Sequence, residues 1–511
     1  MSRMAAGRWG WKLELILSAG SGLLAGLALP PLGLPPLLWL ALAVLWALAA
    51  QATRPISCGV LWGFAALALS HRWLLALHPL DWIGVPLPLS LPLCVLLLGL
   101  IAALAGALIG AWVALARRLD PWRFDTAVLL ALLWGFSETL LSQGPLFWLG
   151  LGAAAVPGDR PLAALAALGG SGLVAALQLL FAWLLWRCWA GTARRRFAAA
   201  LSLLLLLSHG LGAVVMAAQP LQPPAGRGNT FALERVLVLQ PAIPTRQKFE
   251  PDQRLALLRQ LQQALELGVE QGADLLVLPE GALGLEPRLV RPAPMELISG
   301  GFRWHEGGDR FEQRSSLLRF AAGAQSPGSW LDKHRLVPLG EWVPLASLVR
   351  WSGLSAVGGL QAGPASRLLW RPGASLAAAI CYELSDGDAL AAAVKGGAQW
   401  LLASANLDPY PLLLQKQFAA LAQLRAIETG RWLVSTANTG PSLLVSPRGD
   451  LQATLQPGVA GTATYSVPLL QTLTPYDRFG SRPLLVLLVA ALALRCMRQR
   501  PLMDSNHRPA A

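Results

Sequence analysis

Long apolar runs, separated by short segments rich in Pro, Gly and Arg, constrain this chain more than any other feature of its sequence. Charged residues make up 14% of the chain, against about 25% in an average soluble domain. A helix crosses a bilayer with about 20 apolar residues, and lipid offers the backbone no other hydrogen-bond partners. We therefore predict a bundle of about eight membrane-spanning helices over residues 13–29, 36–51, 56–78, 89–115, 126–143, 161–186, 197–217 and 483–497.

The Lys and Arg residues predict how these spans are oriented. If the spans alternate in direction, 15 of the 17 basic residues outside residues 218–482 fall on one side, which the positive-inside rule assigns to the cytoplasm. Both termini are then cytoplasmic. We expect a membrane domain over residues 1–217, an outward-facing domain over 218–482, a final span over 483–500 and a cytoplasmic tail over 501–511. The net charge of +13 thus indicates membrane orientation rather than nucleic-acid binding.

The outward-facing domain has a different pattern. After the Pro- and Gly-rich segment Gln219–Asn229, short apolar runs typical of buried strands alternate with helical periodicity. This alternation predicts an α/β layered domain. The predicted strands are residues 235–239, 275–278, 374–380, 400–404 and 433–437, with a hairpin at 442–455, and the predicted helices are 252–268, 388–396 and 415–430.

One cysteine stands alone in this domain. Of the five cysteines, Cys381 is the only one in residues 218–482, which excludes an internal disulfide or a structural site of several cysteines there. Nothing else in the sequence points to a metal. A lone cysteine is often a small buried hydrophobe, but Cys381 directly follows a predicted strand, where α/β domains expose functional groups at the sheet edge.

Two further residues suit a nucleophilic cysteine. Glu280 also follows a predicted strand, and Lys333 lies in the segment Trp330–Pro338. A carboxylate can take up the thiol proton, and an ammonium can stabilise a thiolate and an oxyanion. Together these groups suit acyl transfer through a thioester. Taken singly, Glu280 is equally consistent with a surface carboxylate at a turn, and Lys333 with one of the domain's many basic residues.

Six segments of the domain follow one another in a recognisable order: Gly272–Glu280, Lys333–Glu341, Ile380–Glu383, Arg425–Arg431, Ala437–Gly440 and Ser446–Asp450. They resemble motifs of the nitrilase, or carbon–nitrogen hydrolase, superfamily. With its position between seven predicted spans and one, the domain resembles that of the apolipoprotein N-acyltransferases, a family of the bacterial inner membrane. This resemblance implies an α-β-β-α sandwich docked on a helical bundle.

The resemblance also implies roles for individual residues. Cys381 would be the nucleophile, Glu280 the general base and Lys333 the cation that stabilises the oxyanion. Four further residues would support the site or bind substrate: an additional essential glutamate (Glu341), the two residues after the nucleophile (Tyr382 and Glu383), and Phe249, which stands where the family usually has a Trp. Phe249 keeps the aromatic face and lacks the indole N–H. The stretch between Glu280 and Lys333 is short for the family.

The reaction implied by the resemblance is the last step of lipoprotein maturation. The acyl donor would be a membrane phospholipid, the sn-1 chain of phosphatidylethanolamine, and the acceptor the N-terminal amine of an S-diacylglyceryl-cysteine lipoprotein. We expect no cofactor, no nucleic acid and a monomer. Apolar residues in 283–289 and 345–360 either line a lipid entrance or close the domain's own core, and residues 342–351 have the character of an interfacial segment.

Two other functions remain open from the residues. The first is a membrane-anchored nitrilase-type amidase acting on a small amide, which fits the three chemical groups but leaves the eight predicted spans without a purpose. The second is a transporter or receptor with an external α/β domain. It accounts for the spans, but not for the order of Glu280, Lys333 and Cys381.

Overall fold

The computed structural model describes residues 9–81, 85–223, 232–247, 250–307, 310–338, 340–342 and 359–499. Each of the eight predicted apolar runs contains a helix. Among the described residues, five helices are long and apolar enough to cross a membrane: Trp11–Ala28, Leu87–Leu119, Phe124–Ser142, Ala166–Ala190 and Arg194–Ala218. Pro35–Gln51 and Pro55–Ser70 are shorter apolar helices. The helices of this bundle are α1 (Trp11–Ala28), α2 (Pro35–Gln51), α3 (Pro55–Ser70), α4 (Leu87–Leu119), α5 (Phe124–Ser142), α6 (Arg160–Ala164), α7 (Ala166–Ala190), α8 (Arg194–Ala218) and α13 (Arg482–Gln499).

Two predicted spans differ in detail from the helices found. The run predicted to end at residue 78 leaves the α conformation at Ser70 and continues as a 3-10 helix over Arg72–Leu77. Helix α7 is broken at Gly169–Gly170. Gly170 has φ +78°, and a Cβ there would lie 2.7 Å from the Tyr476 ring. Only glycine both adopts this φ readily and leaves room for the Tyr476 ring. Because Tyr476 belongs to the α/β domain, the break in α7 is a point of close contact between that domain and the bundle.

Two acidic residues lie inside the bundle with protein partners. The Glu14 carboxylate accepts hydrogen bonds from the Thr53 backbone N–H at 2.7 Å and from its hydroxyl at 2.8 Å. Glu138 accepts from the Trp134 indole at 2.9 Å and from the Leu151 N–H at 2.8 Å. Both carboxylates therefore join segments of the bundle, as buried polar groups must when water is absent.

The α/β domain contains two six-stranded sheets. The first has the order β12-β1-β2-β3-β4-β5 and the second β11-β10-β9-β8-β7-β6. In each, three neighbouring strands run parallel, β1-β2-β3 and β7-β8-β9, and all other pairs are antiparallel. The strands are β1 (Leu233–Gln240), β2 (Leu275–Leu278), β3 (Glu296–Gly307), β4 (Arg310–Phe320), β5 (Ser329–Asp332), β6 (Leu368–Leu369), β7 (Leu376–Ile380), β8 (Trp400–Ala405), β9 (Leu433–Ala437), β10 (Leu443–Val445), β11 (Leu451–Thr454) and β12 (Gly461–Pro468).

The sheets pack face to face, with helices outside. Alternate residues of a strand point to opposite faces. Accordingly Leu237 and Leu276 pack with Leu261 of α9 (Pro251–Glu270), whereas Val236 and Val277 belong to the core that includes the second sheet. Outside the second sheet lie α10 (Gly387–Lys395), α11 (Leu412–Thr429) and the short α12 (Pro475–Phe479). This is the predicted α-β-β-α sandwich.

The edge of the domain that carries the candidate site lies against the bundle. Arg246, just beyond β1, donates to the Pro79 carbonyl at 2.8 Å. On α11, Gln417 donates to the Ser70 carbonyl at 2.9 Å, and Glu428 accepts from the Ser171 N–H at 2.8 Å, next to the break in α7. Hydrogen bonds from several elements thus hold the two parts together.

Candidate active site

Three of the predicted site residues meet at the carboxyl ends of strands. Glu280 follows β2, Lys333 follows β5 and Cys381 follows β7, so both sheets contribute. The Lys333 Nζ lies 2.7 Å from Glu280 Oε1 and 2.8 Å from Glu341 Oε1. Cys381 lies close enough that all three charges shift the pKa of its thiol. The structure therefore brings together Glu280, Lys333, Cys381 and Glu341.

Lys333 is a buried cation between two carboxylates. Its side chain is 1% exposed. Burial alone lowers the pKa of a lysine, but Glu280 and Glu341 outweigh this effect and raise the pKa of Lys333 well above its usual value. Lys333 is therefore charged when a substrate arrives. The role that this arrangement suits is stabilisation of negative charge, not proton transfer.

Cys381 stands at a sharp turn between β7 and a 3-10 helix, Cys381–Ser385, which we name the nucleophile turn. Its φ is +54°, a region that costs a non-glycine residue about 1–2 kcal/mol. Burial, followed by the charge of Glu280, raises the pKa of the Cys381 thiol well above its usual value, and Lys333 only partly offsets this. The resting residue is thus a neutral thiol that needs a base when it attacks.

The position of Glu280 depends on a close approach between backbones. A Cβ on Gly300 of β3 would lie 2.4 Å from the Glu280 Cα, so only glycine allows the two strands to come this near. Glu280 Oε2 accepts from the Asn406 backbone N–H at 3.2 Å. The Asn406 side chain is held in turn by Thr245 at 2.7 Å and by Asn438 at 2.8 Å. A polar network across three strand ends therefore orients the predicted base.

Glu383 is buried, Glu341 is partly exposed with 16% of its side chain accessible, and the two make different contacts. Burial raises the pKa of Glu341, and its second oxygen accepts from the Val337 N–H at 2.8 Å. Glu383 does not touch Lys333. It pairs with Arg367 at 2.8 Å and accepts from the backbone N–H groups of His334 at 2.7 Å and of Ile380 at 2.9 Å. Glu383 thus ties the segment after Lys333 to the strand before Cys381.

Two comparisons identify the chain's family. A family model described as "Apolipoprotein N-acyltransferase N-terminal domain" matches residues 21–184, and one described as "Carbon-nitrogen hydrolase" matches residues 331–474. A curated apolipoprotein N-acyltransferase from Prochlorococcus marinus (strain MIT 9313) is 46% identical, over 94% of this chain and 95% of the relative. One from Parasynechococcus marenigrum (strain WH8102) is 47% identical, over 91% and 97%.

The chain belongs to the apolipoprotein N-acyltransferase family. That membership confirms the predicted family and acyltransferase class, and it gives less support to a small-amide amidase. A solved structure of the NitN amidase from Nesterenkonia sp. AN1 is also similar, with a TM-score of 0.36 and 19% identity over 50% of this chain and 98% of that one.

Tyr382 connects the nucleophile turn of this N-acyltransferase family member to the bundle. Its ring lies 5.4 Å from that of Phe147, which stacks on Phe418 at 5.4 Å. Tyr410, 5.3 Å from Trp73, shares a hydrogen bond with Tyr382. Burial raises the pKa of Tyr382 well above its usual value. An aromatic layer therefore excludes water from one side of the nucleophile.

A cavity of about 300 Å³ lies inside the bundle, on the other side of this layer. We name it the bundle cavity. His71, which contributes to its wall, lies 6.1 Å from the Phe147 ring, so the cavity ends one aromatic layer from Tyr382. Its wall is mostly apolar and comes from α1, α3, α4 and α5, including Trp62, Ile109, Trp112, Leu133 and Leu141.

Sequence reasoning assigned no role to three residues that organise the site. Asp332, next to Lys333, binds Arg303 at 2.7 and 2.6 Å and Ser316 at 2.7 Å. Arg367 pairs with Glu383 and also donates to the Asp332 carbonyl at 2.9 Å. Arg335 reaches the bundle. Arg335 lies inside the motif Lys333–Glu341 and Asp332 directly precedes it, so their charges next to Lys333 were the available signal. Arg367 lies in a segment without periodicity.

Some predictions fall outside the described residues. Phe249 is among them, as are residues 343–358 and the tail beyond 499. In the other candidate for the lipid entrance, Leu283 and Leu289 pack with the core under α9, whereas Leu285 is exposed. This part of the predicted entrance therefore belongs mainly to the domain's own core.

Proposed function

We propose that this membrane protein transfers an acyl chain from a phospholipid, through a thioester on Cys381, to the N-terminal amine of a lipoprotein. Its family consists of acyltransferases named for the apolipoprotein substrate. The observation that carries the assignment of residues is the buried cluster in which Lys333 bridges Glu280 and Glu341 beside a cysteine at a strained turn. Such a cluster supplies a nucleophile, a base and an oxyanion partner together.

In the proposed first half-reaction, the Cys381 sulfur attacks the ester carbonyl carbon of the phospholipid. Glu280 accepts the thiol proton, and Lys333 stabilises the oxyanion of the tetrahedral intermediate. When the intermediate collapses, the C–O bond to glycerol breaks and Glu280 gives its proton to the leaving oxygen. The products are a lysophospholipid and a thioester on Cys381, so atoms and charges balance without a cofactor.

In the second half-reaction, the amine of the lipoprotein's N-terminal cysteine attacks the thioester carbonyl. Glu280 takes a proton from the attacking nitrogen, the C–S bond breaks, and that proton returns to the sulfur. An amide and a free thiol result. A thioester is activated towards amines, so no nucleotide is required. Water must be kept out, and the buried cluster with its aromatic layer supports that requirement.

For the substrates, we propose phosphatidylethanolamine, with its sn-1 chain, as donor and an S-diacylglyceryl-cysteine lipoprotein as acceptor. The bundle cavity of about 300 Å³ supports a lipid donor, because its wall is mostly apolar and it lies one aromatic layer from Tyr382. The proposed location is the bacterial inner membrane, with the domain over residues 218–482 on the periplasmic side and both termini cytoplasmic. A monomer contains all residues of the proposed site.

Intact-mass spectrometry tests the proposal. The full chain, purified in detergent, is incubated with phosphatidylethanolamine beside Cys381→Ala and Cys381→Ser variants. We expect one acyl chain on the wild type, released by hydroxylamine, mapped to Cys381 and discharged by a diacylglyceryl peptide. Cys381→Ala must stay unmodified. If a panel of phospholipids leaves the folded wild type without an adduct, the thioester mechanism is wrong.

A further inference from the structure

A loop of the bundle reaches directly into the nucleophile turn. This bundle loop, residues 142–147, begins at Ser142, the last residue of α5. The Ser385 hydroxyl at the end of the turn lies 3.1 Å from the Ser142 carbonyl and 2.9 Å from the Tyr382 carbonyl, and its single proton can be donated to either. The Phe147 ring contacts Tyr382. Ser142 and Phe147 thus contact the nucleophile turn from the bundle side.

Arg335 joins the bundle loop to both halves of the site. Its Nη2 donates to the Gly144 carbonyl and, at 3.4 Å, to the Leu146 carbonyl. Its Nη1 donates to the Tyr382 carbonyl at 3.3 Å and to the Ser385 hydroxyl at 2.9 Å. A planar guanidinium can donate in two directions at once, whereas an ammonium cannot hold this geometry. Arg335 stands two residues after Lys333, so it links the cation, the nucleophile turn and the bundle.

We infer that Arg335 and Ser385 are positioning residues through which the bundle loop sets the geometry between Lys333 and Cys381. The need for such a link follows from the fold. Lys333 follows a strand of the first sheet and Cys381 a strand of the second, so their separation changes if the sheets shift. Glu383 joins them within the domain, and Arg335 adds a fixed point outside it. The inference rests on the proposed function, because it treats Lys333 and Cys381 as the acting pair.

A plain anchor between domain and bundle would involve similar hydrogen bonds, and Arg448 provides that comparison. Arg448 lies in the turn between β10 and β11 and donates to the Ala217 carbonyl at 3.0 Å and to the Gln219 carbonyl at 3.1 Å, at the end of α8. Among the described residues, Arg448 makes no hydrogen bond to the nucleophile turn. Arg448→Lys is therefore the matched control for Arg335→Lys.

The test compares Arg335→Lys, Ser385→Ala and Arg448→Lys in the full chain. The first readout is the single-turnover rate of thioester formation at varied phosphatidylethanolamine. We write its maximal value as kcat and the donor concentration that gives half of this value as KM. A displacement of about 1 Å between reacting groups lowers rates on the order of 100-fold. We expect kcat to fall at least about tenfold in the first two variants, KM to stay within about twofold, and Arg448→Lys to match the wild type in both.

The second readout is the rate at which methyl methanethiosulfonate modifies Cys381 as a function of pH. The charged or titratable groups that influence the thiol are Glu280, Lys333, Glu341, Arg335, Tyr382 and Tyr410. Arg335→Lys and Ser385→Ala alter the formal charge of none of them. We therefore expect the pH midpoint to rise in both variants, because Lys333 no longer faces the thiol correctly, and to stay unchanged in Arg448→Lys.

Several outcomes overturn the inference. One is that kcat and the pH midpoint change no more in Arg335→Lys and Ser385→Ala than in Arg448→Lys. Another is a rise in KM at constant kcat, which would make Arg335 a substrate-binding residue of the cavity of about 470 Å³ beside it. If the wild type forms no thioester, the proposed function fails, and the pH midpoint alone then decides whether Arg335 and Ser385 position Cys381.

Discussion

Replacing Glu383 by Gln tests the idea that this carboxylate holds the site together. The Glu383 side chain is 2% exposed and its partner Arg367 3% exposed. Oε1 accepts from the N–H groups of His334 and Arg335 as well as from Arg367, and Oε2 accepts from Ile380 and Arg367. In Glu383→Gln the amide NH₂ group replaces one of these two oxygens and is itself a donor. In either orientation it therefore faces N–H donors, and the charge of Arg367 loses its partner.

The magnitude follows from these contacts. Removing one partner of a buried ion pair costs about 3–5 kcal/mol, and a hydrogen bond to a charged group contributes about 1.5–3 kcal/mol. We therefore expect Glu383→Gln to lose at least about 3 kcal/mol of unfolding free energy. At about 2–4 °C per kcal/mol, the thermal midpoint falls by about 6 °C or more. Thioester formation slows on the order of 100-fold, because Lys333 and Cys381 lose their common support.

The assay combines thermal denaturation in detergent with intact-mass measurement of the thioester. Glu312→Gln is the matched control, since the Glu312 side chain is 32% exposed and lies 3.5 Å from Arg314, and exposed ion pairs contribute about 1 kcal/mol or less. The double variant with Arg367→Met adds a second check, because removing both charges must cost less than the sum of the single changes. The reasoning fails if Glu383→Gln resembles Glu312→Gln in both measurements.

Three further predictions concern packing and protonation. Gly300→Ala pushes the Glu280 backbone away from a Cβ that would lie at 2.4 Å, so thioester formation falls at least about tenfold by intact mass. Glu280→Gln lowers the pKa of Cys381, because the Glu280 charge raises it; methyl methanethiosulfonate then reacts faster at pH 8 while acyl transfer is lost. Burial raises the pKa of Glu428 from 4.5 to about 7, so between these values the folded state binds a proton that the unfolded state has lost. Stability therefore falls as pH rises from about 5 to 7. In Glu428→Gln the thermal midpoint should depend less on pH over this range.

The strands that the sequence predicts best are those buried on both faces. Residues 275–278 are a continuous apolar run, residues 433–437 are apolar apart from a Ser-Thr pair, and they form β2 and β9 with the predicted bounds. The hairpin of β3 and β4 has no such signal, because charged and aromatic residues alternate along it and Gly300–Gly301 reads as a break. Gly300 is required because the Glu280 backbone lies against it. The glycine that makes the hairpin hard to predict is thus required by the geometry of the site.

The equivalence of the two sheets is also invisible in the sequence. Each sheet has the same run of parallel and antiparallel neighbours, but equivalent strands share no repeated residues. Pairing geometry requires only apolar side chains of suitable size, so it leaves no repeat to detect. Among site residues, Glu280, Lys333 and Cys381 are predictable from strand ends and motif order. The contacts of Arg367 and Arg335 depend on loops that meet only in three dimensions.

The two carboxylates around Lys333 have a common explanation in the proposed mechanism. Before attack, Glu280, Glu341 and charged Lys333 together carry one negative charge, and the thiol is neutral. In the tetrahedral intermediate, Glu280 is protonated and the oxyanion is negative, so the total is unchanged. The reaction thus moves a negative charge from Glu280 to the oxyanion, with Lys333 in contact with both and Glu341 as its constant partner. Since creating a net charge in a buried site is costly, this arrangement lets the chemistry proceed where water, and hydrolysis of the thioester, are excluded.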